Sequence, residues 1–199
     1  MSKVMALDIE TANYSHEIGG WGKTHMFEPT VVATWDGEEA HAFTKSSIKV
    51  EGAHMHPLHP RDLGEHLKKH VSEGGIIVGH NIRGFDLPVL RDALDMYYAH
   101  SLLKDGKNIL DTSWSIREAC GKSHHLDSLC KHTLGKGKEI MDSVDAPLAW
   151  KEGRHADVIK YCIADCKLNY DLFIHGRNEG FVKSRNDETG LIEEYQIGW

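Results

Sequence analysis

The feature that most constrains the fold of this chain is the segment Val4–Thr11, in which apolar residues lead directly into two acidic ones. A short apolar run of this kind predicts a buried β-strand. Successive side chains of a strand alternate between its faces, so Asp8 and Glu10 should share one face. Leu7 and Ile9 should then point into the core from the opposite face.

The two acidic residues of this strand suggest a cation site. Carboxylates side by side repel each other unless a cation lies between them, and hard oxygen ligands suit Mg²⁺ or Mn²⁺. A second interpretation is a strand that ends in charged residues as it leaves the core. Asp8 and Glu10 alone do not decide between the two interpretations.

Composition narrows the class of protein. The chain has 199 residues, 40% of them hydrophobic and 27% charged, which is typical of one globular domain with a proper core. We see no apolar run of membrane-spanning length and no secretory signal at the N-terminus, so we expect an intracellular, cytoplasmic protein without a membrane partner. The four cysteines lack CxxC spacing, which predicts reduced thiols rather than a zinc site.

The net charge of −7 argues against tight, non-specific binding to duplex nucleic acid, which depends on many lysine and arginine contacts to phosphate. It remains compatible with an enzyme that handles a few nucleotides at a metal site, because there the cations supply much of the positive charge.

The order of predicted elements favours an α/β fold with a central mixed β-sheet flanked by α-helices. A hairpin with Asp36-Gly37 at its turn makes part of the sheet antiparallel. Further predicted strands cover residues 76–79 and 108–111. The predicted helices run from Asp62, as the capping residue, to about 72, from 87 to about 100, from 126 to 134 with Gly135 closing it, and from 154 to about 175.

Two segments have no regular pattern that assigns them. Residues 12–29 are polar and Gly-rich and read as a long loop, in which Trp21 either packs the loop down or offers a stacking surface for a base. We expect residues 1–178 to form the main domain. Residues 179–199 are then a C-terminal extension, with strand-like runs that predict a hairpin packed on that domain and added to the sheet edge.

A third segment, residues 54–60, is rich in histidine and proline and reads as a loop. His54, His56 and His59 could bind a metal ion. The loop context and the lack of an obvious fourth ligand favour a solvated segment.

Three distant stretches carry the residue types that metal-assisted phosphodiester hydrolysis requires. Asp8 and Glu10 lie on the first strand, and Asp86 lies at the start of a predicted helix. Tyr161 and Asp165 are four positions apart on the last helix, so they share a face. Two divalent cations need several carboxylates to balance their charge, and a tyrosine can orient the attacking water and help to remove its proton.

In these stretches the chain resembles the DEDD, or DnaQ-like, superfamily of 3′–5′ exonucleases, which have a ribonuclease H-like fold. The matching segments are Asp8-Ile9-Glu10-Thr11, Asn81-Ile82-Arg83-Gly84-Phe85-Asp86, the tyrosine form Tyr161-x-x-x-Asp165, and Leu126-x-x-Leu129 followed by Leu134-Gly135. Each motif is weak alone, but three in order over residues 3 to about 175 are a strong signal.

The resemblance implies a function and roles for individual residues. The expected activity is stepwise, metal-dependent cleavage from the 3′ end of single-stranded DNA or RNA, with two Mg²⁺ or Mn²⁺ ions. The expected metal ligands are Asp8, Glu10, Asp86 and Asp165, with Tyr161 positioning the water. The residues expected near the terminal nucleotide are Thr11, Asn81 and Phe85, although Phe85 could equally belong to the core.

Several other residues have both a functional and a structural interpretation. Asp111 could face the site, but a turn residue is the favoured interpretation. His80 could contact phosphate or make a structural hydrogen bond. The best strip for backbone phosphates consists of Lys131, His132, Lys136 and Lys138, which a solvated helix end explains equally well.

The expected partner is a nucleic acid with a free 3′ end, with a polymerase, a helicase or another replication or repair protein as a further partner. Three alternatives stay open: a catalytically silent nucleic-acid-binding module on the same fold, an RNA-directed exoribonuclease, and an endonuclease or structure-specific ribonuclease of the broader ribonuclease H-like class. The sequence does not choose between DNA and RNA.

Overall fold

A mixed β-sheet of six strands runs through the centre of the protein, in a computed structural model that describes residues 3–199. The α/β class with helices on a central sheet is therefore confirmed. The strands are β1 (Val4–Thr11), β2 (Pro29–Trp35), β3 (Ala40–Thr44), β4 (His54–Pro57), β5 (Ile76–Gly79) and β6 (Ile109–Asp111). Their order across the sheet is β4-β3-β2-β1-β5-β6.

Strand β1 occupies an inner position. It pairs antiparallel with β2, with Asp8 opposite Ala33 and Glu10 opposite Val31, and parallel with β5 on its other side. Helices cover both faces of β1, which is why the strand is a nearly continuous apolar run instead of an alternating one. The acids of β1 thus lie within the fold and not at its surface.

Seven helices surround the sheet in the part of the chain that the structure describes. They are α1 (Pro60–Ser72), α2 (Asp86–Ala93), α3 (Tyr97–Asp105), α4 (Thr112–Cys120), α5 (Leu126–Leu134), α6 (Ala146–Lys151) and α7 (His155–Glu179). Leu7 and Ile9 pack with α1, α2 and α3, whereas Val4 and Ala6 pack with α7. Within residues 3–199, no helix has both the length and the apolar character needed to cross a membrane.

The helix predictions need four corrections. Helix α1 begins at Pro60 after the N-cap residue His59, so Asp62 lies in the first turn and is not the cap. The helix predicted from residue 87 to about 100 is two helices, α2 and α3, because Asp95 takes a positive φ of 52° that ends the helical path. Helices α4 and α6 were not predicted.

The prediction of a loop over residues 54–60 is wrong for its first half. Residues 54–57 form strand β4, which pairs in parallel with β3 and lies at the edge of the sheet. An edge strand needs ladder partners on one side only, so the composition His-Met-His-Pro can form it without β-branched residues.

The C-terminal tail forms the predicted hairpin, from β7 (Phe181–Arg185) and β8 (Ile192–Gln196). The hairpin is a separate two-stranded sheet and does not extend the central one, which corrects the expectation of an added edge. It lies against α5, where the Thr133 hydroxyl donates to the Lys183 carbonyl at 3.0 Å and accepts from the Lys183 N–H at 2.8 Å. The Trp199 indole donates to the Phe173 carbonyl of α7 at 2.9 Å.

Candidate active site

The acids of β1 face helix α7, on the side opposite Leu7 and Ile9, as the strand alternation predicts. Glu10 is 9% exposed. Ligand atoms of Asp8, Glu10 and Cys162 all lie within 4.8 Å of one another. Asp86 and Asp165 do not belong to this tightest group, although both are close enough to raise the pKa of Asp8.

Helix α7 contributes Tyr161 and Asp165, and a lysine joins them. Tyr161 is 1% exposed and Asp165 is 5% exposed. The Lys138 ammonium donates to the Tyr161 hydroxyl oxygen at 2.6 Å and forms an ion pair with Asp165. The two α7 side chains thus reach the same point, as their four-residue spacing predicts.

Asp86 is the first residue of α2 and is 4% exposed. Its carboxylate lies in the first helical turn, where the N-terminal end of the helix dipole favours negative charge. The loop over residues 80–85 presents it, and the shape of this loop depends on Asn81, whose φ of 67° is left-handed. A Cβ at Gly84 would collide with the amide of the exposed Asn81 side chain, so a larger residue there would displace that side chain.

Asp111 holds this loop in place, although the sequence favoured a simple turn residue. Its buried carboxylate accepts the backbone N–H groups of Asn81 and Arg83, each at 2.9 Å, and of Trp114 at 3.1 Å. It also caps helix α4. An aspartate at the end of a strand and immediately before a helix is a recognisable capping signal, so the sequence did contain this information.

The other residues of ambiguous role also have structural partners. His80 hydrogen-bonds Thr112 Oγ1 at 3.1 Å and the His124 carbonyl at 2.9 Å. Burial lowers the pKa of His80 to about 4, so it is neutral at pH 7. Lys136 pairs with Asp171 at 2.5 Å, and Lys138 lies inside the site. Lys136 and Lys138 thus have different partners, so the residues predicted to bind backbone phosphates do not form one continuous strip.

The negative charges of the carboxylates in the site are only partly balanced by positive groups. Burial raises the pKa of Asp8 well above its ordinary value, and the carboxylates of Asp165, Glu10 and Asp86 raise it further. Burial and the charge of Asp165 raise the pKa of Glu10 in the same way. Burial also raises the pKa of Asp86 to about 7. Groups with strongly shifted pKa values in one cluster are typical of functional sites.

Lys138 is the main internal counter-charge for these acids. Burial opposes the charged form of Lys138, but Asp165, Asp8 and Glu10 outweigh this effect, so its pKa is raised. The charge and hydrogen bond of Lys138 likewise oppose the burial that raises the pKa of Asp165. No signal in the sequence placed Lys138 here, because its position depends on how residues 135–145 fold back over α7.

The residues fit a divalent cation. Asp8 Oδ2 and Asp165 Oδ1 are both buried and, within residues 3–199, have no hydrogen-bond partner. Buried polar atoms are nearly always partnered, so two such oxygens in one cluster are suited to coordinating a cation. Cys162 is not part of that ligand set: its thiol donates to the Asp8 carbonyl at 3.4 Å, and burial raises its pKa well above the ordinary value.

The residues expected near a nucleotide differ in their surroundings. The Thr11 hydroxyl donates to the Asn13 carbonyl at 3.0 Å, and the Asn81 side chain is exposed. Phe85 makes edge contacts with Trp21 and Phe27, at ring-centroid distances of 5.3 and 5.1 Å. Trp21 is still 66% exposed, so it packs against the loop and also offers an open ring.

No protein-family model matches the chain, and no curated protein matches it at a significant level. The chemistry of the site is therefore inferred from the carboxylates, Tyr161 and Lys138 themselves.

Proposed function

We propose that the protein is a metal-dependent 3′–5′ exonuclease of the tyrosine branch of the DEDD superfamily. The observation that carries the proposal is the gathering of four carboxylates from three distant stretches. Glu10, Asp86 and Asp165 are buried, Asp8 is partly exposed, and Asp8 and Asp165 each have an unpartnered oxygen. Those stretches are the three that resemble the superfamily motifs.

The topology supports a ribonuclease H-like fold as the finer description. The strand that carries Asp8 and Glu10 is central. On one side β2 is antiparallel to it and β3 is antiparallel to β2, and on the other side β5 and β6 run parallel to it. The long helix that carries Tyr161 and Asp165 crosses the face of this strand.

The ligands for two Mg²⁺ or Mn²⁺ ions would be Asp8, Glu10, Asp86 and Asp165. Such a pair of ions, when bound, activates the attacking water and stabilises the leaving oxygen. The protein itself supplies a nearly dry site in which charge interactions are strong. Relief of the repulsion among the four carboxylates favours the occupied state.

Tyr161 orients the water and does not take its proton. Burial, then the charges of Asp165, Glu10 and Asp8, raise the pKa of Tyr161 far above its ordinary value, so the phenol stays protonated. Its oxygen accepts from Lys138, and its O–H is directed at the Asp165 carboxylate. Lys138 also places a positive charge where a phosphodiester would develop negative charge.

Two features favour a single-stranded end as substrate. The exposed ring of Trp21, supported by Phe85, offers a stacking surface for a base at the mouth of the site. The net charge of −7 disfavours a broad duplex footprint. By the resemblance to the superfamily, Asn81 and Thr11 would lie near the terminal nucleotide.

A degradation assay tests the proposal. Linear DNA and RNA strands labelled at the 5′ end should shorten stepwise with Mg²⁺ or Mn²⁺, and a circular single strand should stay intact. EDTA should stop the reaction, as should Asp8→Asn. Activity that persists in EDTA would refute the mechanism, and cutting of the circle would indicate an endonuclease.

One observation favours a second candidate, a catalytically silent nucleic-acid-binding module. Lys138 already neutralises Asp165 without any ion. Such a module would bind a labelled strand equally well with and without Mg²⁺ and would leave its length unchanged, and Asp8→Asn would not alter the binding.

A further inference from the structure

A second cluster of ionisable side chains lies at the β3–β4 edge of the sheet, and the proposed nuclease site at the centre does not use it. We call it the histidine cluster, and its members are Glu39, His41, His54, His56 and His66. Strands β3 and β4 pair in parallel, with His41 opposite His54 and Phe43 opposite His56. Side chains two apart on a strand share a face, so the strand histidines lie together.

Three members of the histidine cluster point ligand atoms at one another. Atoms of Glu39, His41 and His54 all lie within 4.8 Å. Glu39 Oε2 lies 3.8 Å from His41 Nε2, and Glu39 Oε1 lies 3.8 Å from His54 Nε2. These distances are too long for hydrogen bonds. Tetrahedral coordination at ~2.0–2.2 Å would bring such atoms to about 3.3–3.5 Å. The two 3.8 Å pairs would then shift by a few tenths of an ångström, and the third pair starts within 4.8 Å.

The ring of His41 is already oriented for such a role. Its Nδ1 is 3.0 Å from His56 Nε2, which leaves Nε2 directed at Glu39. Histidines that bind metals characteristically use one ring nitrogen for the ion and fix the other by a hydrogen bond. His66 packs on the other side, where its Nε2 is 3.0 Å from Thr34 Oγ1.

We propose that Glu39, His41 and His54 form a binding site for Zn²⁺. Two imidazoles and one carboxylate are ligands that zinc accepts, whereas Mg²⁺ and Mn²⁺ prefer oxygen alone. Three protein ligands leave a fourth position for water. The side chains of Glu39 and His54 are 60% and 58% exposed, so an ion can enter from solvent.

Zinc at this site ties together three pieces of the sheet edge: the turn after β2, strand β3 and edge strand β4. Strand β4 has only four residues and one neighbour, so a bridging ion holds it where few ladder bonds do. The proposal is independent of the nuclease function, because the two sets of residues do not overlap.

Metal binding by the full chain tests the site. Titration with Co²⁺, a spectroscopic substitute for Zn²⁺, should give one equivalent of absorbing complex that Zn²⁺ displaces, in the wild type and in Asp8→Asn alike. His54→Ala and Glu39→Gln should weaken the binding by at least about 10-fold, and His56→Ala, which removes only the orienting contact, by roughly 10–100-fold.

His59→Ala is the matched control. This histidine belongs to the same His-rich segment but faces Asp62 at 3.9 Å, so binding should not change. Circular dichroism of the metal-free variants checks that each is folded. Equal Co²⁺ affinity in wild type, His54→Ala and Glu39→Gln would overturn the proposal, as would a complex that Asp8→Asn abolishes or a wild type without saturable binding.

Discussion

The acidic site and the histidine cluster lie on one sheet but handle charge in opposite ways. At the centre, burial and mutual repulsion raise the pKa of Asp8, Glu10 and Asp86. At the edge, burial and neighbouring imidazoles lower the pKa of His41, and burial with His41 lowers that of His66 to about 4. Acids resist losing their protons in one region, and histidines resist gaining them in the other.

This difference shows why the two regions suit different cations. The central acids are strained without a positive ligand, and Lys138 compensates them only in part. A divalent ion there relieves repulsion as well as forming bonds. The lowered pKa of His41 favours its neutral form, which is the form that binds a metal ion, so an ion there adds bonds without relieving strain.

The largest expected effect comes from breaking the central ligand set. Asp165→Asn should lower the cleavage rate by about 10³-fold, since metal stabilisation of the transition state is worth several kcal/mol. Single-turnover kinetics with Mg²⁺ measures this. Asp157→Asn is the control, because Asp157 is a half-exposed acid of the same helix that faces Arg154. Similar losses in both variants would contradict a specific role for Asp165.

The next largest effect distinguishes the role of the Tyr161 phenol from that of the carboxylates. Tyr161→Phe should lower the rate by roughly 10²-fold, because a hydroxyl that orients water contributes at the low end of proton-transfer assistance. Mn²⁺ affinity, measured by calorimetry, should stay unchanged. Tyr170→Phe, on the same helix but away from the site, should leave both quantities as in the wild type. A loss of Mn²⁺ binding in Tyr161→Phe would assign the phenol to the metal instead.

Asp111 tests whether an acid near the site is structural. Asp111→Asn replaces an acceptor of three N–H groups with a side chain that also carries donors. Hydrogen bonds to charged groups contribute about 1.5–3 kcal/mol, so we expect a loss of about 2–3 kcal/mol in the free energy of unfolding. Chemical denaturation measures it, with exposed Asp105→Asn as control. If Asp111→Asn leaves the free energy of unfolding unchanged, Asp111 does not anchor the loop.

The metal-free protein tests the strain among the central acids. Asp86→Asn removes a carboxylate whose pKa burial raises to about 7, so the free energy of unfolding at pH 7 should rise by about 4 kcal/mol. The folded wild type keeps this proton between about pH 4 and 7 while the unfolded chain loses it. Wild-type stability in EDTA should therefore fall as the pH rises through that window, and the slope should be smaller in Asp86→Asn. An equal slope in both proteins would contradict this.

The histidine cluster should show the smaller and opposite pH effect. The unfolded chain takes up a proton at His66 near pH 6.5, whereas the folded protein does so only near pH 4. Stability should fall by about 2–3 kcal/mol as the pH drops from 6.5 to 4, and His66→Asn should reduce this dependence. His100→Asn, an exposed histidine of α3, should not. Thermal unfolding in EDTA across this range gives the comparison.

The sequence predicted the elements whose pattern is local. The apolar run before Asp8 predicted β1, the Asp36-Gly37 turn predicted the hairpin, and the spacing of Tyr161 and Asp165 predicted a shared face of α7. Each depends on residues within a few positions of one another, so tertiary contacts had little to override.

The sequence could not predict features that depend on distant packing. Lys138 enters the acidic site because residues 135–145 fold back over α7. The partners of His54 lie on β3, so their proximity appears only once β3 and β4 pair. Asp111 anchors a loop that begins 30 residues earlier in the chain, at Asn81. Motif spacing along the chain carries no information about such contacts.

The most direct test of the account is a crystal structure with Mn²⁺, with the ions located by anomalous scattering. The account predicts manganese between Asp8 and Asp165, with the Lys138 ammonium moved away from Asp165 to make room. Manganese absent from that position, with Lys138 still paired to Asp165 in a crystal saturated with the ion, would contradict the central claim.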